Sequence, residues 1–288
     1  MIKIITDSTS YIPHELQEKY SITVLSHCIT VDGQDYYETD ISNYSFYKKI
    51  QEASEWPVSN PPTYDMILEA FEKEVAAGNT VIGIFISNLT SETVQRANKA
   101  KEAALKKYPK ANITVIDSKN TCMALGITAL TAAETSEKGA WLEDVVEAAN
   151  STILRNRILF MPKKLDYMFK SGKISKTKAW IGDFMQLIPL ITMQKGEITP
   201  LETVRTRDKA IDRMVEIMKN DVDKFGVNKV VVTHIDDIEE AKNLSEKIVG
   251  FIDVPVEISE IGPAVGVTVG PGTLGLIYNT IDTIPVNI

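Results

Sequence analysis

The chain has 288 residues, 44% hydrophobic and 24% charged, ordinary proportions for a globular protein with a sizeable core. Lys and Arg number 31 against 39 Asp and Glu. The resulting formal net charge of -8 argues against nucleic acid, whose binding rests on neutralising phosphates.

In chain order, Ile2 to Thr6 reads as a buried strand ended by the hydroxyl-rich loop Asp7 to Ser10, and Pro13 to Tyr20 as a short helix with Pro at its entry. Ile22 to Val31 reads as one second strand, followed by the turn signal Asp32-Gly33. Helices are predicted over Asn43 to Ala53 and Thr63 to Ala77, the latter stopped by Gly78. Thr80 to Ile86 has the continuous apolar, β-branched character of a parallel strand, and a helix follows from Glu92. Strand Asn112 to Ile116 and helices Thr121 to Glu137 and Leu142 to Arg155 complete the β–α alternation.

After about residue 156 the spacing changes. Ile158 to Met161, Leu187 to Met193 and Glu197 to Val204 read as strands, with Lys195-Gly196 a hairpin turn. A helix from Asp208, strand Lys229 to His234, helix Ile238 to Phe251 and closing strands follow. The expectation is an α/β protein in two parts. Residues 1–157 form a parallel-sheet α/β domain and residues 158–288 an α+β domain with a mixed or antiparallel sheet.

No apolar run approaches the roughly 20 residues of a membrane-spanning helix. Two isolated cysteines, Cys28 and Cys122, fit a reducing compartment. A strand begins at once, with no basic and apolar leader before it, so a cytoplasmic location without membrane insertion is expected.

Chemistry-bearing residues are few. Asp7 and Ser8 sit at the C-terminal end of the first strand, where open sheets place ligands. They serve either to contact a ligand or to cap a turn. Ser91 stands past Thr80 to Ile86 at a helix N-terminus, where free N–H groups favour an anion; it contacts a ligand or caps its helix. His14, His27 and His234 lack a metal-ligand spacing. There is no Gly-x-Ser-x-Gly elbow and no phosphate-cradling Gly-rich loop, so neither a serine hydrolase nor a nucleotide site is supported. Met161, Met168, Phe169, Trp180, Phe184, Met185 and Met193 line an apolar tunnel or simply pack a core.

The densest signal is Ile261 to Gly275, with five glycines and two prolines among small residues. It reads as a segment built to line something rather than to fill a core, with Gly266 and Gly270 close to a ligand. With Thr6-Asp7-Ser8-Thr9-Ser10, Val115-Ile116-Asp117-Ser118, Lys170-Ser171-Gly172-Lys173-Ile174-Ser175 and Arg205-Thr206-Arg207, it resembles the signature set of the DegV family across nearly the whole chain.

The resemblance implies a protein that binds a long-chain fatty acid between its two domains. It implies no cofactor and no catalysis of its own. The acid would be presented to a dihydroxyacetone-kinase-like fatty acid kinase subunit, whose acyl-phosphate product feeds phospholipid synthesis. Ser91, Ser59, Asn60 and Thr268 fall at or beside the family's head-group positions. Val58 stands for the family's threonine and Thr268 for its histidine, which implies a head-group site short of two ligands. Lys173, in place of the family's arginine, and Arg205 lie on a basic segment that forms a docking face for the kinase or a solvated surface. Two other readings remain: a binding protein for a different apolar ligand, and a small hydrolase or transferase using Asp7, Ser91 and Thr268.

Overall fold

A computed structural model describes residues 1–174 and 187–285. Four parallel strands form the first sheet: β1 (Ile2–Asp7), β2 (Thr23–Leu25), β6 (Thr80–Phe85) and β7 (Ile113–Asp117), in the order β2-β1-β6-β7. A small antiparallel sheet of β3 (Cys28–Val31), β4 (Gln34–Tyr37) and β5 (Val58–Asn60) stands beside it. The second half supplies a mixed six-stranded sheet ordered β10-β9-β8-β13-β11-β12. Its strands are β8 (Asn156–Met161), β9 (Ile188–Gln194), β10 (Glu197–Val204), β11 (Lys229–His234), β12 (Val256–Glu260) and β13 (Leu274–Asn279). Only β11 and β12 run parallel in it. The expected division at 157/158 falls inside β8.

Period-2 alternation explains how the sheets layer. On β8 and β13, Leu159, Met161, Leu274, Leu276 and Tyr278 face helices Arg207–Phe225 and Ile238–Val249. Ile158, Phe160 and Ile277 face the opposite way, into the core shared with the first sheet. The first sheet mirrors this, Ile5, Val81 and Phe85 packing on helices Tyr64–Ala76 and Thr93–Lys107. Between the sheets runs helix Cys122–Glu137, whose first nine residues are all buried. A helix apolar on every side belongs in such a place.

One expectation is corrected. The run Ile22 to Val31 is not one strand: it breaks at Ser26 and His27, so β2 pairs with β1 while β3 pairs with β4 and β5. The main chain turns there because Ser8 Oγ accepts the His27 N–H at 2.9 Å and the His27 carbonyl accepts the Glu38 N–H at 2.9 Å. The glycine-rich stretch contains a helical turn. Pro263–Val269 is a short helix, with Pro at its first turn. Lys195 and Gly196 both adopt positive φ, as a tight hairpin turn requires.

Gly266 lies within that helix because no other residue fits. A Cβ there would overlap the Tyr47 hydroxyl oxygen, which donates to the Ile261 carbonyl at 3.0 Å. Gly266→Ala is expected to cost about 1–3 kcal/mol through overpacking. Tyr47→Phe, which removes the clashing oxygen, should recover part of that loss. A double-mutant cycle by chemical unfolding measures the coupling; strictly additive losses would show that the two residues do not compete for the same space.

Candidate ligand-binding site

A cavity of about 340 Å³ lies where the carboxyl ends of the parallel strands meet the six-stranded sheet. That is within the roughly 300–1,000 Å³ typical of small-molecule pockets. One wall is apolar: Ile158, Phe160, Met193, Ile198 and Ile277 come from the large sheet, and Ala264, Val265 and Val269 from the glycine-rich helix. The opposite wall comes from the loops after β1, β2, β6 and β7, with Thr9, His27, Ile86, Thr121 and Cys122. Ser59, Asn60, Thr90, Ser91, Glu92, Arg96, Lys173 and Thr268 supply most of its polar lining.

Of the expected residues, Ser91, Ser59, Asn60 and Thr268 do line the cavity. Ser91 Oγ lies 2.9 Å from Thr93 Oγ1, and the helix itself starts at Thr93. Asp7 and Ser8 stand behind the wall instead. Asp7 is fully buried, accepting the Thr9 N–H at 3.1 Å, the Thr9 hydroxyl and, through its other oxygen, the Ile86 N–H at 2.9 Å. Ser8 is committed to Glu38 and to the His27 N–H. Both residues hold the loop that forms the wall, as a capped turn does. Gly266 and Gly270 are not at the cavity surface; their missing side chains make room for Tyr47 and Tyr167.

Val58 also requires revision. Pairing of β5 with β3 turns Ser59 inward and leaves Val58 54% exposed, outside the cavity. Valine there removes no donor from the lining.

Lys173 reaches the cavity, its Nζ donating to the Thr90 carbonyl at 2.7 Å. Desolvation pulls its ammonium below the ordinary lysine range, and Glu92 opposes that shift. Arg205 is exposed and is not part of the lining. Arg207 is structural, paired with Glu240 and Asp237 and donating to the Gly272 carbonyl at 2.7 Å. Of the supposed tunnel residues, Met193 lines the cavity, while Met161 and Met168 are buried in the cores. Phe169 packs against the core between the sheets. Trp180, Phe184 and Met185 lie outside the described residues.

Residues without a distinctive sequence signal complete the site. Arg96 donates to the carbonyls of Pro61 and Pro62 at 3.0 and 3.2 Å, joining the β5 loop to the helix after Ser91. Glu38, embedded in an acidic but unremarkable run, accepts from Ser8 Oγ, from Tyr11 OH at 3.2 Å and from the Ala264 N–H at 2.7 Å.

Residues 1–280 match the family described as "uncharacterised protein, DegV family". A DegV domain-containing protein of Clostridium acetobutylicum is 37% identical over 279 residues, covering 97% of this chain and 98% of the relative. The chain belongs to the DegV family. Among solved DegV-like structures, a stearic-acid-binding protein from Eubacterium ventriosum superposes with TM-score 0.88 at 26% identity, covering 98% of this chain and 99% of its own. DegV of Bacillus subtilis, described as a fatty acid binding protein, gives 0.87 at 29% identity over 97% and 99%. No helix among the described residues is long and apolar enough to cross a membrane.

Burial raises the Glu38 carboxyl above its ordinary value of 4.5, against the opposing effects of His27, Ser8, the Ala264 N–H and Tyr11. A carboxyl raised by folding favours the fold below its ordinary value, and that contribution is lost as pH rises through the raised value. Glu38→Gln keeps an acceptor for Ala264 and cannot ionise. Its unfolding free energy is therefore expected to fall less than the wild type's between pH 4.5 and neutrality. Parallel pH profiles for the two proteins would remove Glu38 as the source.

Proposed function

We propose that this DegV protein is a non-catalytic cytoplasmic carrier that buries a long-chain fatty acid between its two sheets. The observation that carries this reading is the apolar cavity with hydroxyls and the Lys173 ammonium at one part of its lining. An acyl chain gains roughly 0.8 kcal/mol per buried CH₂, while a carboxylate needs compensating donors wherever it is desolvated. Ser91, Thr268 and Lys173 supply donors of that kind. The fatty acid binding described for the Eubacterium ventriosum and Bacillus subtilis relatives supports the same ligand class.

The carrier would present its carboxylate to a dihydroxyacetone-kinase-like subunit for acyl-phosphate formation. Exposed Arg205 is suited to steer an anionic partner complex. The hydrolase or transferase reading is less well supported. Asp7 is committed to backbone and Thr9 donors, and the side-chain partner of Ser91 is a threonine hydroxyl, which is no general base.

Delipidated protein is expected to bind C14–C18 fatty acids saturably by calorimetry; no saturable binding of any of them defeats the reading. Ser91→Ala and Thr268→Ala should each weaken binding about tenfold or more, since a hydrogen bond to a charged group contributes roughly 1.5–3 kcal/mol. Val58→Thr should leave affinity unchanged.

The docking role is tested separately. Arg205→Glu is expected to lower kinase-coupled acyl-phosphate formation while fatty acid affinity stays constant. An unaltered coupled rate would return Arg205 to the ordinary solvated surface.

A further inference from the structure

The imidazole of His27 lines the cavity, is 3% exposed, and has no hydrogen-bond partner on either ring nitrogen. Its main chain, by contrast, is fully engaged. The N–H goes to Ser8 Oγ, and the carbonyl accepts from Ser26 Oγ and the Glu38 N–H, each at 2.9 Å. The backbone thus holds the ring at the cavity wall without satisfying it. Asp7 Oδ1 lies 3.6 Å from Nε2, an ion-pair contact beyond hydrogen-bond reach, and the ring also acts electrostatically on the Glu38 carboxyl. Both Asp7 oxygens already accept other donors. Thr121 Oγ1 on the same lining is another buried polar atom without a hydrogen-bonded oxygen or nitrogen, the weakly donating Cys122 thiol being beside it.

Leaving a buried polar group unpaired is costly, and a wholly apolar chain filling this cavity would leave His27 in that condition. We propose that His27 selects fatty acids carrying a hydroxyl along the chain, with the His27 ring and Thr121 as its partners. The proposal rests on the acyl-binding reading above and narrows its ligand. A ring nitrogen donates when it carries a proton and accepts when it does not, and a hydroxyl can answer either. A hydroxyl therefore satisfies a ring that a methylene would leave unpaired. The same residue type makes the choice strict, because a site built to hydrogen-bond a hydroxyl discriminates against the analogue that lacks one.

The test uses delipidated full-length protein, octadecanoic acid and its 9-, 10- and 12-hydroxy derivatives, titrated by calorimetry. At least one hydroxy isomer should bind wild type about tenfold more tightly than octadecanoic acid, equivalent to 1.4 kcal/mol. His27→Leu should bind octadecanoic acid about tenfold more tightly than wild type does and lose the hydroxyl preference. His27→Gln, which keeps a donor and an acceptor, should retain part of it. Equal wild-type affinity for all four acids overturns the proposal and leaves the acyl reading standing, as does a preference that survives in His27→Leu. Should the leucine variant not fold, ¹⁵N resonances of the wild-type ring decide: the hydroxy acid should shift them beyond the change caused by octadecanoic acid, and equal shifts overturn the proposal. Failure of every acid to bind removes the acyl reading and this inference together.

Discussion

The buried carboxylate of Glu38 is the interaction on which the site depends. It joins three chain segments far apart in sequence: the turn after β1 through Ser8 and Tyr11, its own turn after β4, and the glycine-rich helix through the Ala264 N–H. Burying a carboxylate is unfavourable unless donors replace its water, so the three segments must meet in one arrangement for the charge to be tolerated. That arrangement places the helix Pro263–Val269 against the carboxyl ends of the parallel strands. The cavity is the space left between that helix, the large sheet and the loops.

Further contacts across the two halves act at the polar part of the lining. Ser87 Oγ donates to the Gly196 carbonyl at 2.7 Å, docking the β9–β10 hairpin tip on the loop after β6. Lys173 reaches the carbonyl of Thr90 in the same loop. The loop that presents Ser91 is thereby clamped from the C-terminal half at two points. Its hydroxyl is held in position before any ligand arrives, which lowers the ordering cost of binding an anion there.

Much of this was legible from residue pattern. The alternation of apolar β-branched runs with helical periodicity sets out the parallel sheet, and the loss of that alternation near residue 156 marks the second one. What escaped depended on partners distant in sequence. Ile22 to Val31 is a continuous strand-like run, and its break at Ser26–His27 is enforced by Ser8 and Glu38. Helix propensity argues against Pro263–Val269, with a glycine at its centre. Tyr47 and Glu38 override it by requiring a small residue at Gly266 and by capping the Ala264 N–H. Ser59 and Val58 are adjacent and both plausible at a ligand, yet pairing with β3 places Ser59 at the cavity and leaves Val58 exposed, which depends on a partner strand distant in sequence.

The histidines show the same limit from the other side. In sequence, His27 is a polar interruption of an apolar run and says nothing about its surroundings. Folding places it at the cavity wall with no hydrogen-bonding partner, while Asp7, the more conspicuous residue, is spent on backbone donors and the Thr9 hydroxyl. Cys122 is inert in a comparable way. Burial pushes its thiol up to about 12, so the sulfur lining the cavity is a small apolar group and not a nucleophile. Reactivity along this wall is suppressed by desolvation, and hydrogen-bonding capacity survives at His27 and Thr121. A wall with those properties distinguishes ligands by where they carry oxygen.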